Sequence, residues 1–268
     1  INNSVDANLF YSMISYLARV NYTFDNRYIF TATFRRDGSS KFSSAKRYAH
    51  FPSFAVGWNI INEEFMRDVN CLTNLKLRAS WGKIGNEKIR YTSRFSNIQT
   101  GLNVVLGEEE AAIPGASFGV TGNPDLKWET TTQTDIGLEL GLLQNRLNID
   151  VDYYRRVTDD ILVELAIPGY LGNGVGARMY VNAGSVLNRG VEFNVNWNDR
   201  INDNWSYSIG ARGSTLHNEV LSIGGTAGVD STLVGGDLSG RKATLSRKGL
   251  PIGAFYGYKT DGIFQNQG

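Results

Sequence analysis

The chain has 268 residues, a length that suits one large all-β domain or two smaller ones. Its 27 basic and 26 acidic residues give a net charge of +1, so nothing in the composition indicates a nucleic-acid-binding patch. No run approaches the roughly 18 apolar residues of a transmembrane helix, although strands that cross a membrane need only about ten residues of alternating apolarity.

Alternation of apolar and polar residues predicts four strands in the first third of the chain. They cover residues 12–24, 28–35, around 54–58 and 75–81. A tight turn at 25–27 joins the first two, and a polar loop opens at Asp37 and lasts to about Arg47. Residues 62–66 are predicted to form one helical turn with Asn62 as its cap.

Four more strands follow, separated by long loops. A long hairpin spans residues 126–154, and two further strands lie at 191–197 and 205–212. Residues 82–125, 163–180 and 217–250 are expected to be loops, and 251–264 is aromatic and strand-like. The pattern therefore predicts about eight strands with no helical period and no repeat.

The connections alternate between short and long. Short ones lie at 25–27, 62–73, 143–146 and 198–204, and long ones at 37–47, 82–125, 163–180 and 217–250. In an up-and-down antiparallel sheet, all short turns then lie at one edge, as in outer-membrane barrels. Aromatic residues near the short turns suit an interfacial girdle: Tyr22, Phe24, Tyr28, Trp58, Trp197 and Trp205.

The two faces of these strands differ sharply in polarity, which leaves two architectures open. In a membrane barrel the apolar face meets lipid and the polar face lines a hydrated lumen; in a soluble or surface β-sandwich that binds carbohydrate, the apolar face forms the core. Strand length favours the barrel, because sandwich strands average about five or six residues. The lumen-facing candidates for substrate contact are Asp135, Glu139, Asp150, Asp152, Glu192 and Arg212.

Signals for catalysis, metals or cofactors are weak. His50 and His217 are the only histidines, so a Ser-His-Asp arrangement would have to be assembled in space. No Cys/His cluster has zinc spacing, and Cys71, the single cysteine, cannot form an internal disulfide. Gly172, Gly174 and Gly176 are interpreted as loop glycines because the residues after them read as strand, and residues 108–110 as a solvated acidic run. We expect no enzyme activity and no cofactor.

Several motifs in order along the chain resemble the SusC/RagA family of TonB-linked outer-membrane proteins of Bacteroidetes. The longest is YIFTATFRRDGSSKF at 28–42, followed by FPS at 51–53, GW at 57–58, EFM at 64–66, LKLRASWG at 75–82 and GN at 85–86. NPDLKWE at 123–129, NAG at 182–184, NRGVE at 188–192, PIG at 251–253 and FYG at 255–257 complete the series.

The resemblance implies a barrel of about 22 strands with a plugged lumen. Residues 1–268 would then be part of the barrel domain of a longer outer-membrane polypeptide, without the plug domain and the TonB box. Members of this family import oligosaccharides or peptides, work with a SusD-like surface lipoprotein, and draw energy from TonB. Expected partners are therefore that lipoprotein, TonB through the missing N-terminal region, outer-membrane lipid and the transported solute.

Overall fold

A continuous antiparallel sheet dominates the structure, a computed structural model that describes residues 10–106, 111–167, 178–224, 233–238, 241–259 and 262. The strands are β1 (Met13–Phe24), β2 (Tyr28–Ser39), β3 (Tyr48–Asn59), β4 (Leu72–Asn86), β5 (Asn97–Leu106), β6 (Ala111–Val120), β7 (Glu129–Leu142), β8 (Leu147–Asp159), β9 (Leu162–Ala166), β10 (Arg178–Asn182), β11 (Gly184–Asn202), β12 (Trp205–Ser214), β13 (His217–Ile223), β14 (Leu233–Leu238), β15 (Arg241–Ser246) and β16 (Ala254–Phe255). Single 3-10 turns occur at Ile60–Asn62, Glu64–Met66 and Tyr91–Arg94. Within the described ranges, no helix has the length and apolarity to cross a membrane.

The large sheet has nine strands in the order β1-β2-β3-β4-β7-β8-β11-β12, with β13 also paired to β11. All of these pairings are antiparallel. The eight predicted strands correspond to β1–β4, β7, β8, β11 and β12, so the predicted up-and-down order is confirmed. The remaining strands form smaller sheets, β5 with β6, β9 with β10, and β14 with β15 and β16.

The predicted boundaries were wrong at the long-loop end of the sheet. β2 continues through Asp37 to Ser39, where a loop was predicted from the turn-like composition, because Asp37 and Gly38 pair with Ala49 and Tyr48 of β3. The regions predicted as loops contain β5, β6, β9 and β13–β15 in addition, whereas β10 matches the strand expected after Gly176. Conversely, the strand-like stretch 251–264 contributes only Ala254–Phe255 within its described residues.

The helical turn near Asn62 also differs from the prediction. Two 3-10 turns occur, and Glu63 rather than Asn62 occupies the cap position of the second. The Asn62 side chain instead donates to the backbone carbonyl of Asn26 at 2.8 Å, and Asn59 donates to the same oxygen at 2.7 Å. These bonds tie the two short connections together.

Cross-strand partners share a face, so the registers place the apolar side chains on one side of the sheet. Leu77, Leu138, Val151 and Phe193 form one such row across β4, β7, β8 and β11. Leu138 remains 38% exposed and Val151 37% exposed. This apolar face is therefore a surface of the sheet and not the interior of a sandwich.

Buried side chains gather at the long-loop end instead. Phe42, Phe51, Ile89, Leu126 and Trp128, here called the rim core, are each at most 7% exposed. The Trp128 ring lies 5.3 Å from that of Phe42, and its Nε1 donates to the Arg47 carbonyl at 3.0 Å. A second cluster joins Val186, Val220 and Ile223. The long connections are thus packed against the ends of the strands.

The opposite polarity of the two faces can be tested with one substitution on each. In the full-length protein in lipid, Leu138→Arg should cost about 2–4 kcal/mol of unfolding free energy, because it places a charge on the apolar face at membrane depth. Gln133→Arg, on the polar face of the same strand, should cost much less. Equal losses in a denaturant titration would contradict this assignment of the faces.

Candidate functional site: the charged face of the sheet

The face opposite the apolar one carries a dense set of polar and charged side chains on the central strands, here called the charged face. It comprises Lys76, Arg78 and Ser80 on β4, Gln133, Asp135 and Glu139 on β7, Asp150, Asp152, Tyr154 and Arg156 on β8, Glu192 and Asn194 on β11, and Arg212 on β12. All six residues predicted as candidates lie on it. Their shared face follows from the period of two, since an odd register shift would have separated them.

The registers align the charges in rows across the strands. One row runs Lys76, Glu139, Asp150, Asn194 and Arg212. Within it, Lys76 Nζ lies 3.2 Å from Glu139 Oε1, and the Asn194 amide donates to Asp150 Oδ2 at 3.1 Å. Opposite charges directly across a ladder stabilise the pairing of strands, so the Lys76–Glu139 pair supports β4 against β7. Glu139 and Asp150, in contrast, are like charges that stand directly opposite each other on β7 and β8.

The next row contains an ion pair that spans three strands. Arg78 Nη2 on β4 lies 2.6 Å from Asp152 Oδ2 on β8, and β7 runs between them. The residue of β7 in this row is Gly137, paired with both Arg78 and Asp152. A Cβ atom there would press against Arg78 Nε and Asp152 Oδ1. The bridge thus depends on the missing side chain of Gly137.

A chain of hydrogen bonds extends the lattice toward the long-loop end. Arg156 Nε donates to Gln133 Oε1 at 3.0 Å, and Gln133 Nε2 donates to Asp135 Oδ1 at 2.8 Å. The other oxygen of Asp135 accepts from the Ser80 hydroxyl at 3.2 Å. Both oxygens of Asp135 are therefore occupied, which fixes the orientation of its carboxylate.

Glu192 and Arg212 differ from the other candidates because neither side chain forms an ion pair or a hydrogen bond with a residue that the structure describes. Both are exposed. Glu192 borders a concavity of about 750 Å³ together with Arg78, Asp152 and Tyr154. Both border a neighbouring concavity of about 640 Å³. Their charges are therefore not compensated by a described side chain.

Sequence reasoning missed several members of this lattice. Lys76, Arg78 and Gln133 were placed on the polar faces of their strands but were not selected as candidates, and Arg156 and Gly137 were not considered for the site. The strict alternation could have found the side chains. The role of Gly137 could not be found, because it depends on which residues of β4 and β8 lie beside it.

The remaining candidates lie apart from this lattice. His50 stacks on Phe34 at 5.7 Å, and His217 Nε2 lies 3.4 Å from Glu219 Oε2. Cys71 is exposed in the turn before β4. No group of three or more metal-binding side chains occurs among the described residues. Outside the described residues lie the three loop glycines Gly172, Gly174 and Gly176 and the acidic run at 108–110.

A second polar cluster closes the short-turn end of the sheet around Glu63. Its Oε1 accepts hydrogen bonds from Tyr28 at 2.7 Å and from Trp58 Nε1 at 2.9 Å, and Arg27 Nη1 lies 3.3 Å from its Oε2. The hydrogen bond from Trp58, then that from Tyr28, lowers the pKa of Glu63 below its ordinary value of 4.5, and Arg27 acts in the same direction. The cluster joins the turn after β1 to the turn after β3.

Comparisons with known proteins agree with this geometry. The family model described as TonB dependent receptor-like, beta-barrel matches residues 4–266. TonB-dependent receptor P3 of Formosa agariphila is 36% identical over 258 residues, which cover 94% of this chain and 25% of that protein. TonB-dependent receptor SusC of Bacteroides thetaiotaomicron is 35% identical over 258 residues, 92% of this chain and 25% of that protein. The structure of the RagAB peptide transporter superposes with a TM-score of 0.76 at 29% identity, over 91% of this chain and 25% of that one.

The chain therefore belongs to the TonB-dependent receptor β-barrel family. Within that family it is similar to SusC and to the RagAB transporter, so the resemblance seen in the sequence motifs is confirmed. It is an all-β antiparallel sheet consistent with part of such a barrel, and it spans about a quarter of the length of the curated relatives that it matches.

The dependence of the Arg78–Asp152 bridge on Gly137 can be measured by a double-mutant cycle in the full-length protein. Replacing Arg78 and Asp152 by alanine, singly and together, should give a coupling of up to about 1 kcal/mol. In a Gly137→Val background the coupling should vanish, because the new side chain occupies the space of the bridge. Gly257→Val is the matched control, since open space surrounds that glycine. A coupling that survives Gly137→Val would contradict this account.

Protonation of Glu63 should weaken the short-turn end of the sheet. Because its folded-state pKa is lowered, its contribution to stability is present above the ordinary carboxyl pKa and is lost as the pH falls through the lowered value. Glu63→Gln should flatten the acid limb of a plot of melting temperature against pH. Glu64→Gln, at an exposed neighbour, is the control and should leave that limb unchanged.

Proposed function

We propose that the chain is part of the barrel wall of an outer-membrane transporter that imports oligosaccharides or peptides. The barrel would use energy delivered by TonB and act with a SusD-like surface lipoprotein, in line with its similarity to SusC and RagAB. The observation that carries the proposal is the division of one continuous sheet into an exposed apolar face and a charged face. A barrel in lipid requires this division, because its outside meets hydrocarbon and its inside meets water.

The charged face suits solute passage better than covalent chemistry. Its acids and bases are largely paired with one another, as Lys76 is with Glu139 and Arg78 with Asp152. Paired groups of both signs give a hydrated wall without a strong net field, so a large polar solute can slide along it. We propose Glu192 and Arg212, which have no ion-pair partner in the described ranges, as solute contacts supported by the lattice around Asp135, Glu139, Asp150 and Asp152.

Uptake by the full-length protein in its native outer membrane tests the proposal. Labelled oligosaccharides and labelled peptides should be supplied separately, with and without a functional TonB. One of the two solute classes should accumulate only when TonB is functional. Glu192→Gln with Arg212→Gln should raise the KM for uptake severalfold and leave the amount of protein in the outer membrane unchanged, because these side chains contact solute and do not hold the sheet.

The matched control neutralises one acid and one base elsewhere, at Asp203→Asn with Arg200→Gln near the short-turn end. It should transport as the parent protein does. Recovery of the full-length parent in a soluble fraction would overturn the transporter proposal. Unchanged uptake kinetics in the Glu192 and Arg212 variant would remove these two residues from the solute path and leave the rest of the proposal standing.

A further inference from the structure

A line of basic side chains lies on the apolar face at the level where the apolar residues stop. These residues, here called the basic belt, are Arg36, His50, Lys83, Arg155, Arg189 and His217. In most of these strands, the residue two positions nearer the short turns lies on the same face and is apolar or aromatic. Examples are Phe34 before Arg36 and Tyr153 before Arg155. The belt therefore lies on the outside of the sheet and is separate from the charged face.

Within the belt, basic residues stand directly opposite one another, and Arg155 and Arg189 are two like charges in this arrangement. Arg155 on β8 pairs with Arg189 on β11, and Arg189 pairs in turn with His217 on β13. Arg36 on β2 pairs with His50 on β3. Like charges directly across an antiparallel ladder are destabilising, so this arrangement has a cost unless an anion lies between them.

The described residues supply little of that negative charge. Arg36, Lys83, Arg155 and Arg189 are exposed, and none forms an ion pair with a residue in the described part of the chain. Arg36 lies over the ring of Tyr48, 4.5 Å from its centroid. Among the described residues, the acidic partner in the belt is Glu219, 3.4 Å from His217. Counter-ions for the arginines therefore come from outside the described part of the chain.

The position of the belt indicates the kind of anion. Four members, Arg36, His50, Lys83 and Arg155, lie about ten residues along their strands from the short-turn end, which is roughly one crossing of a bilayer. Arg189 lies somewhat farther along β11. Arg36 on β2, Lys83 on β4 and Arg155 on β8 are offset from one another in the register of the sheet, as expected for strands tilted in a barrel. A basic group at this level of an outer face meets lipid headgroups.

We propose that the basic belt binds the phosphate groups of lipid headgroups in the outer leaflet of the outer membrane, with Arg155 and Arg189 as the central pair. The inference rests on the proposed membrane location. Two guanidinium groups on adjacent strands can each donate paired hydrogen bonds to a phosphate, and the phosphate relieves their mutual repulsion. The lipid thereby becomes a bridge between β8 and β11.

The test uses the full-length protein purified in detergent and titrated with diphosphoryl lipid A and with its dephosphorylated form, followed by native mass spectrometry. The parent should bind the diphosphoryl form at least about tenfold more tightly. Arg155→Gln with Arg189→Gln should weaken that binding by about thirtyfold, since two basic contacts to an anionic headgroup are lost. The matched control, Arg67→Gln with Arg200→Gln at the short-turn end, should bind as the parent does.

A single charge reversal gives a second readout that does not depend on folding of the double variant. Arg155→Glu should raise the melting temperature in lipid-free detergent, because it replaces a repulsive cross-strand pair by an attractive one. The same change should weaken binding of diphosphoryl lipid A. A simple loss of structure would lower both quantities, so the opposite directions are specific to the proposed role.

Equal affinity of the parent for the two lipid A forms would overturn the inference, as would full binding by the Arg155 and Arg189 double variant. Displacement of lipid A by millimolar inorganic phosphate would also overturn it, since the belt would then be a site for free anions. Parallel uptake assays separate this result from the proposed function. A protein that imports solute with TonB but does not distinguish the two lipids loses only the lipid inference.

Discussion

The register of the antiparallel ladder is the constraint on which the rest of the structure depends. A shift of one residue in β7 would carry Asp135 and Glu139 to the apolar face and Ile136 and Leu138 to the charged one. A shift of two would keep the faces but would move Gly137 away from Arg78 and Asp152. The same alignment determines the ion-pair rows, the apolar surface and the basic belt, so a change of register would disrupt all three.

This dependence explains how far the sequence alone could lead. Alternation is local, and it was sufficient to assign Asp150 and Val151 to opposite faces and to order the eight main strands. Alignment between strands is not local, and alternation leaves it undetermined by steps of two residues. For that reason, the sequence alone could not predict that Arg78 and Asp152 would form an ion pair over Gly137. Residues 37–39 were misread for a related reason: their composition is that of a turn, but pairing with β3 outweighs it.

The motifs that carry the family resemblance have mainly structural positions. Phe42, Phe51 and Trp128 come from three of those motifs and pack together in the rim core. Gly85 of another motif lies against the ring of Phe51, where a side chain would collide. Glu192 is a motif residue that faces solvent on the charged face, whereas Arg212 lies in none of them. These motifs therefore mainly form packing contacts at the long-loop end, and only one of the two proposed solute contacts, Glu192, belongs to a motif.

The position of Arg78 between two acids has a consequence for a charged solute on the proposed transport path. Its guanidinium lies 2.6 Å from Asp152 and 3.7 Å from Glu139. If a cationic group of a solute bound the Asp152 carboxylate in place of Arg78, Arg78 would still lie beside Glu139. Both Asp152 and Arg78 would then keep an oppositely charged neighbour. Glu139 also pairs with Lys76, so the two acids and two bases form one connected group. On the proposed transport path, a charged solute that displaced Arg78 from Asp152 would therefore leave that arginine next to a second acid.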